Sequence, residues 1–344
     1  MTAITDQDGL HAGIGTFRRT RKRAGGRKVS MEIKRNAEGE VKIEPYHFQN
    51  IYLITTYRCN WNCPFCLFKF NKERECSVRG MLERLEYAIL DSKKKVYIKI
   101  TGGEPFLRPK LLKGIFEVAS RRKYRVHAVG IGTNGSIHLP AWFQDVDVPT
   151  NIFLSRHEIA DDLPTASQLR GNIDNPNIHF RLNCNLIRGH VDTLRKIELY
   201  ILYRIKHSII ESVCFRELSK VSLDRNSMYP PQIYDYEEYY KKNIVPIQDI
   251  IDTVNMTEKP IFQWSRIRGN AYDRNYWAWY TIIYGNGPKK ISVKFRQIDE
   301  AQLIQYNMEN EGIDEYVIHP DGTLTGCWDK DIKIIKRGGP YYAK

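Results

Sequence analysis

Between residues 51 and 215, short apolar runs alternate with amphipathic stretches of helical period, which restricts this part of the chain to repeated β-α units with parallel strands. Runs at 51–55, 96–101, 126–133, 152–155, 178–187 and 210–215 read as buried strands. Between them, 81–90 sets Met81, Leu82, Leu85 and Ile89 on one helical face, and 111–120 and 193–206 read as further helices. Six strands fall short of the eight of a closed barrel, so the expected fold class is α/β, an open partial (βα)6 TIM-like barrel. In parallel α/β sheets the chemistry gathers at the carboxyl ends of the strands. The unusual motifs fall there.

The pattern changes near residue 221. Gly285-Asn286-Gly287 separates strand-like 277–283 from 290–295, and His319-Pro320-Asp321-Gly322 separates 316–318 from 323–324, both hairpin signals. The expected organisation is a basic N-terminal arm over 1–45, a partial-barrel core over 46–220, and a mixed, β-rich extension over 221–344 covering the barrel mouth. Lys plus Arg number 53 against 40 Asp plus Glu, a formal charge of +13 that draws in anions such as nucleotides, phosphates, acidic peptides or RNA. Nine of those cations lie between residues 17 and 35, opposed by Glu32 alone. That arm reads as a solvated tail or as a phosphate- or nucleic-acid-contacting one, although aromatics for base stacking are nearly absent. No run reaches the roughly 18 apolar residues of a membrane helix, and the first 30 residues lack an apolar signal core. A cytoplasmic protein without a membrane partner is the expectation.

Seven cysteines (59, 63, 66, 76, 184, 214 and 327) make an odd set, which favours thiols or metal ligands over disulfides. Three of them cluster just past the first strand in Cys59-Asn60-Trp61-Asn62-Cys63-Pro64-Phe65-Cys66. Thiolates select iron–sulfur clusters or zinc. Three sulfur ligands leave one iron of a cluster open for a substrate-like molecule, whereas a structural zinc needs a fourth ligand, Cys76 or a histidine. Cys184 and Cys214 lie on predicted strands and read as core thiols.

The C-x3-C-x2-C spacing with an aromatic before the last cysteine resembles the radical S-adenosylmethionine (SAM) superfamily, and further matches follow in that family's order. Gly102-Gly103-Glu104-Pro105 ends the second strand and resembles the GGEP motif. The resemblance implies that its backbone and Glu104 hold the methionine amino group, with two glycines permitting close approach and a carboxylate pairing with an ammonium. Thr133-Asn134-Gly135 is similar to the segment near the SAM ribose and methionine. Ser155 is implied to contact SAM, Arg156 to pair with the methionine carboxylate, and Phe65 to pack against adenine. Over roughly residues 50–220 the pattern is similar to the GTP cyclase of molybdopterin biosynthesis and the SPASM and twitch enzymes. Gly102-Gly103-Glu104-Pro105-Phe106-Leu107-Arg108, Arg181-Leu182-Asn183 and Phe215-Arg216-Glu217-Leu218 carry that likeness. It implies Asn183 and Ser219 near SAM and Arg181 toward substrate. Asp321-Gly322-Thr323-Leu324-Thr325-Gly326-Cys327 is similar to the branch's C-terminal DG-x-L-x-x-C, but the neighbouring cysteines of an auxiliary cluster are missing, so one cluster is expected. Cys327 is then a relic, a core residue or a substrate-facing thiol.

The implied cofactors are one [4Fe-4S] cluster on Cys59, Cys63 and Cys66, and SAM. The implied reaction is reductive cleavage of SAM, with an electron from flavodoxin or ferredoxin, to methionine and a 5′-deoxyadenosyl radical that takes hydrogen from substrate. Arg181 and Glu217 are the leading substrate-side candidates, joined by Arg216, Arg266, Arg268, His157 and Trp328. Arginines suit a small anionic, nucleotide- or sugar-like substrate. A peptide-modifying enzyme is the alternative within the superfamily. The alternative from another class is a zinc-stabilised RNA-binding module that would use Cys59, Cys63, Cys66 and the basic arm; separately, the aromatics Tyr272, Tyr276, Trp277, Trp279 and Tyr280 read as packing more than as a nucleobase box.

Overall fold

Each apolar run becomes a strand, and strand register sorts its residues onto two chemically opposite faces. The computed structural model describes residues 48–68, 74–205, 209–219, 233–257, 260–272, 275–284, 289–297, 312–313, 315–328, 330 and 333–338. The arm over 1–45, the turn at 285–287, and the side chains of Arg266, Arg268, Tyr272, Tyr276, Trp277 and Trp279 lie outside them. The first six strands are β1 (Phe48–Ile54), β2 (Lys95–Thr101), β3 (Val126–Thr133), β4 (Thr150–Ser155), β5 (Ile178–Asn185) and β6 (Ile210–Arg216), each parallel to the next. Three helices of two turns or more connect them, α1 (Val78–Asp91), α2 (Pro109–Arg121) and α4 (Leu194–Ile205). The link between β3 and β4 has only a 3-10 turn, Ala141–Asp145, and that between β4 and β5 only the short α3 (Ala166–Arg170).

Local sequence explains the helix starts. Ser77 accepts the Gly80 amide at 3.0 Å as the N-cap of α1, and Pro109 occupies the first turn of α2, where its missing N–H costs nothing. Thr165 and Gln168 form a reciprocal capping box that lets the five residues of α3 hold helical geometry. The apolar stripe of α1, Met81, Leu85, Ala88 and Ile89, is fully buried against the sheet.

After residue 221 come α5 (Ile233–Asn243), α6 (Ile247–Met256), the strands β7 (Gln263–Tyr272), β8 (Asn275–Tyr284), β9 (Lys289–Arg296) and β10 (Glu315–Ile318), and the short β11 (Leu324–Thr325) and β12 (Ile334–Lys336). The two hairpin signals correspond to antiparallel pairs, β8 with β9 and β10 with β11. Two strands of this region also enter the parallel sheet, β9 beside β6 and β10 beside β1. The order is therefore β12-β11-β10-β1-β2-β3-β4-β5-β6-β9-β8-β7, with eight parallel strands in its centre rather than six. Periodicity missed the extra two because β9 and β10 each belong to an antiparallel hairpin, whose local signal does not announce the parallel pairing.

The sheet curls. In a flat sheet β1 and β9 would stand six spacings apart, about 29 Å, yet Arg296 on β9 reaches the Tyr52 hydroxyl on β1. The convex face is apolar: Leu53, Ile100, Ile131, Ile152 and Phe180 form one in-register row buried under the helices. The concave face is polar. Lys99, Gly130, Asn151 and His179 form one row of it, with Arg181, Ser212 and Ser292 the continuation. An apolar outer layer and a polar lining are what a barrel with a binding cavity requires.

Candidate active site

The site is built at the carboxyl ends of β1 to β5. Just past β1 the backbone of Thr56 and Arg58 runs beside the segment after β2: Gly103 N–H donates to Thr56 O at 2.7 Å and Glu104 N–H to Arg58 O at 2.9 Å. Both glycines are required by that approach. A Cβ at Gly103 would stand 2.0 Å from Arg58 O, and one at Gly102, whose φ is 122°, 2.4 Å from Thr56 O. The two glycines therefore join the 102–104 turn to the stem of the cysteine loop. The loop's return is stapled as well. Arg58 and Glu75 form an ion pair at 2.9 Å, Glu75 accepts the Thr56 hydroxyl proton, and Arg108 donates to Thr55 O at 2.9 Å and Cys76 O at 3.1 Å.

Glu104 is fully buried. Its carboxylate accepts from the Phe106 amide at 3.1 Å, the Thr133 hydroxyl at 2.8 Å and the Asn134 amide at 2.8 Å. Burial raises its pKa above the usual carboxylate range, against the pull of those donors. Asn134 continues the chain of contacts by donating through Nδ2 to Asn60 Oδ1 at 2.8 Å and to Cys59 Sγ at 3.8 Å. Pro105 starts a single 3-10 turn, Pro105–Leu107, that Glu104 caps. Gly102, Gly103, Glu104, Thr133, Asn134 and Cys59 are thus one connected unit.

Of the cysteines, Cys59 is exposed and Cys63 and Cys66 half-buried, on a loop held inside by the Cys66 amide donating to Cys63 O at 3.1 Å. Among the described residues no three His, Cys, Asp or Glu side chains converge at metal-binding distance, so the three thiols stand apart in this structure. The donor set suits an iron–sulfur centre with one open iron: three accessible thiols sit on one irregular loop with a stapled stem. Cys76, the fourth thiol a zinc site would use, lies in the apolar core, where burial raises its pKa. Cys327 and Cys184 are fully buried. Cys214, read as a core thiol, is instead half-buried on the concave face, in register with Asn183.

The remaining residues divide. Asn183 is buried on the concave face beside Ser155, and its Oδ1 meets no hydrogen-bond partner. Phe65 packs edge-on against His157 at 4.6 Å between centroids. Arg181 lies two residues deeper than Asn183, above the Phe153 ring at 6.0 Å, with its buried Nε unpartnered. Two candidates are engaged within the chain. Arg156 is 2% exposed and donates to the carbonyls of Asn134, Ser155 and Pro164, bracing the rim rather than offering its fork outward, because a buried guanidinium must spend its protons. Glu217 accepts from the Ile247 amide and the Gln297 amide group, both at 2.9 Å, and so caps the start of α6. Ser219 accepts the Tyr236 hydroxyl proton through its carbonyl at 2.7 Å. Trp328 packs on Tyr52 at 4.6 Å, and Tyr280 is buried edge-on to Phe295 at 5.8 Å.

His157 accepts the Asn185 amide proton on Nδ1 at 3.0 Å. Burial, then the charges of Arg216 and Arg156, push its pKa down to about 3. The folded protein thus keeps it neutral while an unfolded chain protonates near the free value of about 6.5. The stability it contributes is complete above pH 6.5 and is lost as pH falls toward 3, at no more than about 1.4 kcal/mol per pH unit. Urea unfolding between pH 7 and 4.5 should show a steeper loss for the wild type than for His157→Gln, whose side-chain oxygen keeps the hydrogen bond; equal slopes reject this account.

Sequence reasoning missed part of the concave wall: Tyr52, Tyr97, Lys99, Lys294, Arg296 and Glu315. The signal was present in β2, where Lys99 interrupts Val96-Tyr97-Ile98-Lys99-Ile100-Thr101, since a lysine inside a buried parallel strand needs a reason.

Residues 53–209, a little under half the chain, match the radical SAM superfamily. No curated protein matches. Among solved structures, a histidine-tagged anSMEcpe with bound AdoMet is 15% identical with a TM-score of 0.38, covering 48% of this chain and 50% of that one. The chain thus spans about half the length of that structure. "Native anSMEcpe with bound AdoMet" is 12% identical with a TM-score of 0.45, covering 83% and 78%. A radical SAM methyltransferase from Sphaerobacter thermophilus is 13% identical with a TM-score of 0.35, covering 60% and 67%. Residues 53–209 thus carry the match to the radical SAM superfamily, whose members work with a [4Fe-4S] cluster and S-adenosylmethionine.

Proposed function

We propose that this enzyme carries its [4Fe-4S] cluster on Cys59, Cys63 and Cys66 and acts on a small anionic molecule. When bound, the cluster and SAM supply a 5′-deoxyadenosyl radical that removes a hydrogen atom from the substrate. The chain's own residues do the rest. Gly102 and Gly103 keep the methionine-side turn against the stem of the cysteine loop, and Glu104 fixes the Thr133-Asn134 segment beside Cys59. Asn183 and Ser155 offer polar groups to SAM from the concave face. His157, neutral and packed on Phe65, supports the wall beside the loop. The single observation that carries the reading is the hydrogen-bonded unit running from Glu104 through Asn134 to the Cys59 sulfur. An electron donor such as flavodoxin or ferredoxin and a cytoplasmic setting complete the proposal; among the described residues no helix is long and apolar enough to cross a membrane.

The test is anaerobic reconstitution with iron and sulfide, then dithionite and SAM, with assay of 5′-deoxyadenosine. Stoichiometric iron and sulfide with 5′-deoxyadenosine formed is the expected result. A fully loaded sample that makes none overturns the proposal.

A further inference from the structure

The concave wall gathers a cluster of positive charge. Lys99 lies two residues before Thr101 at the rim, and Lys294 and Arg296 face it from β9, with Arg216 on β6 and Arg181 on β5. These five cations share the wall with the carboxylate of Glu315; Glu211 lies at the margin, engaged by His179 at 2.7 Å. The groups are mutually close: Arg296 and Arg216 repel both lysines, and Lys99 and Lys294 feel each other. Burial and then Arg296 push Lys99 down to about 7 and Lys294 to about 8, while Glu315 pulls Lys99 the other way and Cys214 raises Lys294. Lys99 donates to the Tyr52 hydroxyl at 3.0 Å, and Tyr52 and Tyr97 are held protonated, both pushed up to about 12, chiefly by burial. Two further atoms point to a ligand independently of charge. The buried Nε donors of Arg181 and Arg216 meet no partner.

A wall of this kind repels itself unless something anionic sits against it. The shape of the donor set selects among anions. A carboxylate presents two coplanar oxygens and is satisfied by one guanidinium fork, whereas donors converging from β2, β6 and β9 suit a tetrahedral oxyanion, and lysines serve phosphate as point charges. We propose that Lys99, Arg216, Lys294 and Arg296 form a subsite for a phosphoryl group carried by the small-molecule substrate, with Arg181 deeper on the same wall, in register with Ser212 and Ser292. This deepens the reading of a radical SAM enzyme with an anionic substrate and rests on it.

The experiment uses the reconstituted full-length protein and inorganic phosphate and pyrophosphate as probes, measured by titration calorimetry with saturating SAM present. Binding should raise the lysine pKa values, so at pH 8 each binding event takes up protons, read as heats that differ between buffers of different ionisation enthalpy. Affinity should fall about tenfold from pH 7 to pH 9 as Lys99 and Lys294 lose their protons. Arg296→Met and Lys99→Met should each weaken phosphate at least about tenfold, with far-UV circular dichroism checking that they fold; the proton uptake of the wild type needs no variant. Phosphate held without proton uptake and equally by all variants would mean contacts elsewhere on a basic surface and overturn the subsite. Displacement by SAM would assign the cations to the cofactor and also overturn it, and preference for succinate over phosphate would overturn the phosphoryl assignment. Failure of the radical reading shows separately, as absence of 5′-deoxyadenosine from the same loaded sample.

Discussion

Replacing Cys63 with alanine is expected to remove iron–sulfur absorbance on reconstitution and to lower 5′-deoxyadenosine formation by at least about a thousandfold, to the assay floor. The size of the effect follows from the donor set. Cys59, Cys63 and Cys66 sit on one loop and Cys76 is in the apolar core, so the next thiol along the chain is not placed to replace a lost thiolate. The change is also local. Cys63 is half-buried on an irregular stretch whose ends are fixed by the Arg58 to Glu75 pair and by the Gly103 and Glu104 amides, none of which it supplies. The variant should therefore keep the wild-type far-UV circular dichroism and thermal midpoint when both are compared without metal. Cleavage retained by a well-folded Cys63→Ala protein would refute the ligand assignment, and loss of fold would mean that the loop has a structural role instead. Cys76→Ala is the control, expected to cost stability by a cavity of about one sulfur atom while leaving iron uptake intact.

What could be read from the chain, and what could not, has a physical pattern. The six central strands were legible because their outward residues, such as Leu53, Ile100 and Phe180, are buried under helices and their apolar runs are nearly continuous. The cysteine loop and glycine turn were legible because metal ligation and close backbone approach each tolerate few residue types. The docking of β9 and β10 on the sheet edges was not, since parallel pairing between strands far apart in sequence leaves no local signal. Arg156 and Glu217 show the same limit at the level of single side chains. Their positions at strand ends fit a ligand-facing role, but burial diverted Arg156 to three carbonyls and Glu217 to the start of α6. Conversely, the concave cations come from strands separated by nearly two hundred residues, and only the curl of the sheet puts Lys99 opposite Lys294 and Arg296.

Gly103→Ala should be the most damaging single-methyl change in the domain. A Cβ there lies 2.0 Å from Arg58 O and 2.6 Å from Arg58 C, both backbone atoms that cannot rotate away as a side-chain tip could. Relief requires the 102–104 turn and the 56–58 stem to separate, which breaks the Gly103 to Thr56 and Glu104 to Arg58 hydrogen bonds together. Glu104 would then be drawn from Thr133 and Asn134, leaving a buried carboxylate with fewer donors, and Asn134 from Cys59. The summed cost is about 3 kcal/mol or more. Thermal and urea unfolding should show that loss, and any folded protein at low temperature should take up iron poorly because the base of its cysteine loop has moved. Gly132→Ala supplies the contrast. It lies in the adjoining strand β3, and a Cβ added there meets nothing closer than Ile100 O at 3.8 Å, an ordinary contact, so its stability should stay within about 1 kcal/mol of wild type. Equal damage at the two positions would show that glycine in this sheet matters for chain entropy and not for the contact between the two loops; tolerance of Gly103→Ala would remove the proposed link between the SAM-side turn and the cysteine loop.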